Sequence, residues 1–180
     1  GGLWTILRDG TLAVFRDGKL TPFGTPSDAL RRPILVFEDR DGFLWYGSDG
    51  YGLRRFSPDG ASTLFTQKNG LPDGGVMAIF QDREGDIWLG TWGSGLAHFE
   101  NGRFRAVTTA DGLFDDVVYT IQEDAAGYFW MSCNRGVFRA SRAEVLARLA
   151  GGTAPIRSAS FGVADGMKSA ECDGGYFPNS

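Results

Sequence analysis

Four tryptophans constrain this chain more than any other feature. They close four segments of the form Gly-x-[Leu/Ile/Phe]-Trp: Gly1-Gly2-Leu3-Trp4, Gly42-Phe43-Leu44-Trp45, Gly85-Asp86-Ile87-Trp88 and Gly127-Tyr128-Phe129-Trp130. Successive Trp residues stand 41, 43 and 42 positions apart. A repeat of that length is one supersecondary unit that buries its apolar faces by stacking on its own copies. Helical arrays reach the same length, but 27 of the 180 residues are Gly, about twice ordinary usage, and Gly weakens helix interiors. Hydrophobic residues still make up 42%, so the Gly punctuates short packed elements. The expected fold is all-β, a propeller of about four blades with four antiparallel strands each.

The third repeat shows the blade in full. Val76–Phe80 is an apolar run suited to the innermost strand A, and Asp82–Gly85 is a turn. Ile87–Thr91 reads as strand B, and Gly93-Ser94-Gly95 turns into strand C at Leu96–Phe99. Asn101-Gly102, a strong hairpin signal, leads to strand D at Arg103–Val107. The second repeat gives Ile34–Phe37, Leu44–Gly47 and Leu53–Phe56, and the fourth gives Val117–Ile121, Phe129–Ser132 and Gly136–Phe138. The first starts at strand B, with Asp9-Gly10 and Asp17-Gly18 turns between Leu3–Leu7, Thr11–Phe15 and Lys19–Phe23. Blades are expected over 1–24, 30–66, 72–109 and 114–162, with 163–180 opening a further blade or closing the ring.

One insertion interrupts the pattern. Ser141-Arg142-Ala143-Glu144 reads as a capping box. Val145, Leu146 and Leu149 form an apolar stripe, and Gly151 can stop the helix. A short helix is therefore expected near 141–150, between strands C and D of the fourth blade.

Other classes drop out on composition. No apolar run approaches the length of a membrane-spanning helix, and the first residues do not form a secretory leader. The net charge of −4 disfavours nucleic acid and anionic membrane as the main partner. Cys133 and Cys172 are too few for a disulfide framework, and their pairing is left open. The single His98 argues against a catalytic triad, and no phosphate-binding loop or zinc spacing is present. No cofactor or metal is expected.

The recurring Asp39, Asp82 and Asp124 could be catalytic or calcium ligands. Their recurrence favours a structural role instead. Each Asp would accept backbone N–H groups across the A–B turn, Gly42, Gly85 and Gly127 would take positive φ, and Trp4, Trp45, Trp88 and Trp130 would fill the space between blades. The sialidase-type box Ser-x-Asp-x-Gly-x-Thr-Trp has its Asp two residues before the Gly; here the separation is three.

A second motif precedes the inner strands: Asn69-Gly70-Leu71-Pro72, Asp111-Gly112-Leu113 and Asp165-Gly166-Met167, with Ala29-Leu30 as a degraded copy. The joined unit, [Asn/Asp]-Gly-Leu…Val-x-x-Ile-x-x-Asp-x-x-Gly-x-[Ile/Leu]-Trp-x-Gly-[Thr/Ser]-x-Gly-x-Gly-Leu, resembles the two-component regulator propeller repeat. Residues 70–99 follow it almost throughout, and Phe161–Met167 with Glu171-Cys172 resembles the late blades of such domains. Met131-Ser132-Cys133 departs from the usual Gly-Thr strand end. The resemblance implies a periplasmic, ligand-sensing region of bacterial signalling proteins, many of which sense glycans. Kinase or cyclase output would lie in domains that this sequence does not contain.

Strand order sorts the loops. The A–B and C–D turns share the bottom face. The D–A and B–C loops share the top, which gathers Arg31, Arg32, Asp73, Asp115, Asp116, Lys168 and Glu171 with Tyr51, Trp92, Asn134 and Arg135. Polar groups among aromatic rings suit an oligosaccharide or a peptide. A non-enzymatic sensor is the leading reading; a propeller lyase or glycosidase and a purely structural module are the alternatives. Three closures are open: a stretch of a longer propeller, which is favoured because Gly174–Ser180 makes a poor strand, an eight-bladed ring of two copies, or a four-bladed ring of one.

Overall fold

The computed structural model describes residues 2–24 and 31–172. The expected motif at Ala29-Leu30 and the expected terminal strand lie outside them. The described residues form four antiparallel sheets in succession. The first has three strands, β1 (Leu3–Ile6), β2 (Leu12–Arg16) and β3 (Lys19–Phe23). The second has β4 (Pro33–Glu38), β5 (Leu44–Ser48), β6 (Leu53–Phe56) and β7 (Ser62–Phe65). The third has β8 (Val76–Gln81), β9 (Ile87–Thr91), β10 (Leu96–Glu100) and β11 (Arg103–Val107). The fourth has β12 (Thr120–Glu123), β13 (Tyr128–Cys133), β14 (Gly136–Ser141) and β15 (Ala159–Phe161). Neighbours in sequence pair within each sheet, and the inner strands β4, β8 and β12 adjoin in series. This is the expected all-β blade architecture.

Three apolar cores lie between the sheets. Trp4, Phe23, Leu44, Tyr46 and Phe56 join the first to the second. Trp45, Leu53, Phe65, Ile87 and Phe99 join the second to the third. Trp88, Val107, Phe129 and Phe138 join the third to the fourth. Trp45 and Trp88 are almost fully buried; each hides enough area to contribute about 4–6 kcal/mol of transfer free energy.

The [Asn/Asp]-Gly-Leu entries are single 3-10 turns at Gln67–Asn69, Thr109–Asp111 and Val163–Asp165. The Asn69, Asp111 and Asp165 side chains fold back onto the N–H groups of Thr66, Thr108 and Gly162 at 2.5, 2.9 and 2.9 Å. Leu71 and Leu113 then enter the cores.

Two expectations need correction. Strand A of the fourth blade was expected at Val117–Ile121 and is found at Thr120–Glu123. The inner strands carry a register slip, between Pro33 and Leu35 in β4 and between Val76 and Ala78 in β8. In the fourth sheet the equivalent residue is Tyr119, whose N–H reaches Ser132 O at 2.9 Å, while Val118 N–H turns to Thr91 O of the preceding sheet. Regular pairing starts only after the slip. The insertion does form helix α1 (Arg142–Leu149), but without the capping box. Ser141 makes no side-chain cap, and the Glu144 carboxylate holds Arg157 through its backbone N–H at 2.9 Å and its guanidinium at 2.9 and 2.6 Å. A bidentate charged pair outweighs a neutral cap. The far end is as expected: Gly151, at φ +96°, bonds Arg148 O, and Gly152 bonds Ala147 O.

Candidate functional site

Two sets of residues were candidates, and the structure treats them differently. On the bottom face the Asp-x-x-Gly-x-[Leu/Ile/Phe]-Trp turn repeats with the same bonds. One oxygen of Asp39 accepts the N–H groups of Asp41 and Phe43 at 3.1 and 2.8 Å, and the other accepts the Trp45 indole at 2.7 Å. Asp124 does the same with Ala126, Tyr128 and the Trp130 indole, at 2.9, 3.0 and 2.8 Å. Asp82 accepts Asp86 N–H and the Trp88 indole, both at 2.8 Å. Gly42, Gly85 and Gly127 take φ of +80°, +99° and +78°, which only Gly reaches without strain. The Trp130 indole, then the Tyr128 N–H, holds the Asp124 carboxyl below the usual range. These carboxylates are structural acceptors that fix an indole, fully buried at Trp45 and Trp88 and partly so at Trp130.

The first two of these turns also grip the next blade. Arg40 N–H donates to Gln81 at 2.9 Å, and Arg83 N–H donates to Glu123 at 3.0 Å. The Trp4 indole donates to Glu38 of the second sheet at 2.8 Å.

Opposite the motif Trp of each of the last three sheets stands a strand-C residue: Arg55 facing Trp45, His98 facing Trp88 and Arg139 facing Trp130. The Arg55 guanidinium lies 5.3 Å from the Trp45 ring and that of Arg139 5.3 Å from Trp130. His98 instead stacks on Trp88 at 4.5 Å, with its buried Nε2 3.4 Å from Asp86 and without a hydrogen-bond partner. Arg142 from α1 supplies the charge there, reaching Asp82 at 2.7 Å, Asp86 at 2.5 Å and Glu84 at 3.5 Å.

On the top face the B–C and D–A loops are sewn together. Gly50 and Gly52 N–H groups meet Gly74 O at 3.1 Å, Trp92 N–H meets Gly75 O at 3.0 Å, and Gly95 N–H meets Asp116 O at 2.8 Å. A Cβ on Gly52, Gly95 or Gly136 would collide with the carbonyl of Phe65, Val107 or Phe161, so these loops hug the outer strand.

Several top-face candidates serve the loops themselves. Asp73 and Asp115 accept the N–H two residues on, from Gly75 at 2.8 Å and Val117 at 3.0 Å. Asp115 also holds Arg135 Nε at 2.7 Å, and the guanidinium lies 4.2 Å over Phe114. Burial raises the Asp115 pKa, but the bonds from Arg135 and Val117 outweigh it and leave the carboxyl below its ordinary range. Asp116 binds Thr109 through N–H at 2.6 Å and Oγ1 at 3.0 Å. Arg32 pairs with Asp49, and Arg31 lies 4.7 Å over Tyr51. Lys168 and Glu171 are exposed on the loop after the last 3-10 turn.

Three further residues line up on this face. Trp92 keeps 52% of its surface exposed and meets Tyr119 edge-on at 5.9 Å. The Tyr119 hydroxyl donates to Asn134 Oδ1 at 2.8 Å. Tyr119 and Phe114 were not among the sequence candidates. Tyr119 sits at the register slip, where alternation does not assign a face.

Cys133 and Cys172 are both free. Cys133 takes the place of Ser48 and Thr91 at the strand-B end, and burial pushes its thiol pKa up. Among the described residues no group of His, Cys, Asp and Glu could hold a metal ion, and no helix is long and apolar enough to cross a membrane.

Comparison with known proteins agrees with this architecture. The family model for the two component regulator propeller matches residues 70–93. The extracellular domain of a hybrid two component system from B. thetaiotaomicron superposes with a TM-score of 0.72 at 18% identity, over 94% of this chain and 24% of that one. The extracellular domain of a one component system from the same organism gives 0.67 at 19%, over 93% and 25%. A catalytically inactive virginiamycin B lyase from Staphylococcus aureus, solved with quinupristin, gives 0.60 at 17%, over 92% and 57%. The chain thus spans about a quarter of the length of the two signalling domains. No curated protein matches it. Residues 70–93 thus match the two component regulator propeller repeat, and the sheets as a whole follow the β-propeller fold.

Proposed function

We propose that this chain is part of a non-enzymatic sensor propeller that works outside the cytoplasm and takes an oligosaccharide on its top face. One observation carries the reading: the exposed Trp92 ring, braced by Tyr119 and continued by the Asn134 amide. A rigid ring offers its face to the C–H side of a sugar, and an adjacent amide serves its hydroxyls. Likeness to extracellular domains of two component systems supports the sensor role and the location. The lyase likeness is one of fold. In the S. aureus lyase the inactive variant replaces a histidine by alanine, whereas the sole histidine here is buried against Trp88 on the blade interior.

The test is calorimetric titration with a panel of neutral and acidic oligosaccharides. Binding by at least one is expected, with Trp92→Ala weakening it by tenfold or more, about 1.4 kcal/mol. The reading fails if no sugar binds, or if a binding sugar is indifferent to Trp92.

A further inference from the structure

The top-face loops repeat from sheet to sheet, and one charge in them breaks the pattern. Leu71-Pro72-Asp73-Gly74-Gly75 and Leu113-Phe114-Asp115-Asp116-Val117 lead into the third and fourth sheets, and Met167-Lys168-Ser169-Ala170-Glu171 follows the fourth. The third member of each segment accepts the backbone N–H two residues on. Asp73 Oδ1 takes Gly75 N–H at 2.8 Å, Asp115 Oδ1 takes Val117 N–H at 3.0 Å, and Ser169 Oγ takes Glu171 N–H at 3.2 Å. A hydroxyl makes the same bond as a carboxylate, so the turn itself does not require a charge.

Where the charge is present, its surroundings differ. In the fourth sheet Arg135 covers it, donating to Asp115 Oδ2 at 2.7 Å and to Phe114 O. In the third sheet Ser94 stands in the place of Arg135. Its Oγ donates at 3.2 Å to Pro72 O, the carbonyl that corresponds to Phe114 O. The short side chain ends there, and among the described residues no cation pairs with Asp73. The other cations of this face are engaged elsewhere, Arg32 with Asp49 and Arg31 over Tyr51. Asp73 Oδ2 lies beside exposed Gly93, where a Cβ would stand 3.3 Å from it. A Cβ on Gly75 would stand 3.0 Å from Trp92 Cβ and 3.6 Å from Asp73 Oδ1. An uncompensated carboxylate oxygen and the exposed Trp92 indole therefore share one rim.

We infer, on the oligosaccharide reading above, that Asp73 sets the charge class of the sugar held beside Trp92: an uncharged oligosaccharide, one of whose hydroxyls donates to Asp73 Oδ2. A hydroxyl on a carboxylate makes a charge-assisted bond. A uronate brought to the same place meets like charge beside a ring that keeps water away, and is turned aside.

Calorimetric titration tests this with cello-, xylo- and galacto-oligosaccharides, each beside a uronate oligosaccharide of the same linkage and length. A neutral sugar that binds should bind about tenfold tighter than its uronate partner. Asp73→Asn keeps the Oδ1 acceptor for Gly75 N–H and removes the charge. It should weaken the neutral sugar about tenfold and tighten the uronate. Ser94→Arg rebuilds in the third sheet the pair that Arg135 makes in the fourth, and should shift both sugars in the same directions with Asp73 left in place. Circular dichroism of both variants should match the wild type. A uronate that binds as well as its neutral partner, or a preference that survives both substitutions, overturns the inference and leaves the oligosaccharide reading standing. If no sugar of either class binds, that reading fails and the inference falls with it.

Discussion

The second and third sheets solve one problem in two ways. Both bury an Asp under an indole, and both place a strand-C residue against that indole. In the second sheet the strand-C residue is Arg55, set among the rings of Phe43, Trp45, Phe65 and Phe99. Burial lowers its pKa, with Asp39 pulling the other way. In the third sheet the position is His98, and the counter-charge for Asp82 arrives from Arg142, on the helix inserted into the next sheet. Burial pulls Arg142 down, but Asp82, Glu84 and Asp86 outweigh it and raise its pKa. Charge balance is local in one sheet and shared between sheets in the other.

The largest expected effect comes from breaking the shared arrangement. Arg142→Ala leaves the Asp82 side chain, 0% exposed, without its cation and should cost about 3 kcal/mol in urea unfolding. Arg55→Ala should cost less, about 1–2 kcal/mol, because it removes stacking, covered ring surface and a longer-range attraction to Asp39 rather than a direct ion pair. Equal losses would erase the distinction drawn between the sheets. Adding His98→Arg to Arg142→Ala installs the local solution and should recover about 1 kcal/mol; no recovery would mean that the helix contributes packing alone.

The smallest effect is acid sensitivity at the other end of the helix. Burial raises the Asp111 pKa, but Thr108 N–H and Arg148, 2.7 Å away, outweigh it and leave the carboxyl lowered. A lowered carboxyl contributes stability above its unfolded pKa of about 3.9, and that contribution fades as pH falls through the folded value. Unfolding midpoints should therefore drop below about pH 4, and Arg148→Ala should flatten that drop. An unchanged slope would detach Asp111 from the acid limb.

The repeat was legible because its bonds are short in sequence. Asp82, Gly85 and Trp88 lie within seven residues and close their own turn, so spacing alone exposed them. The top face was legible as a set of loops but not as a site. Asp73 and Asp115 looked like ligand groups, yet each bonds a backbone N–H two residues on. Tyr119 was hidden by the register slip. Arg142 has no role in the capping box read at Ser141 and Glu144; its partner Asp82 stands 60 positions away, and no local pattern encodes such a pair. Glu144 likewise chose Arg157 over the helix end.

The turn that holds each indole bears on how a chain like this can change over time. A unit whose acceptor, hinge and indole are all enclosed in seven residues can be copied whole, dropped or moved, and its turn will still close wherever it lands. Arg142 breaks that independence. Once α1 supplies the cation for Asp82, the third and fourth repeats can be duplicated or lost only together, so the insertion converts two interchangeable parts into a single heritable block.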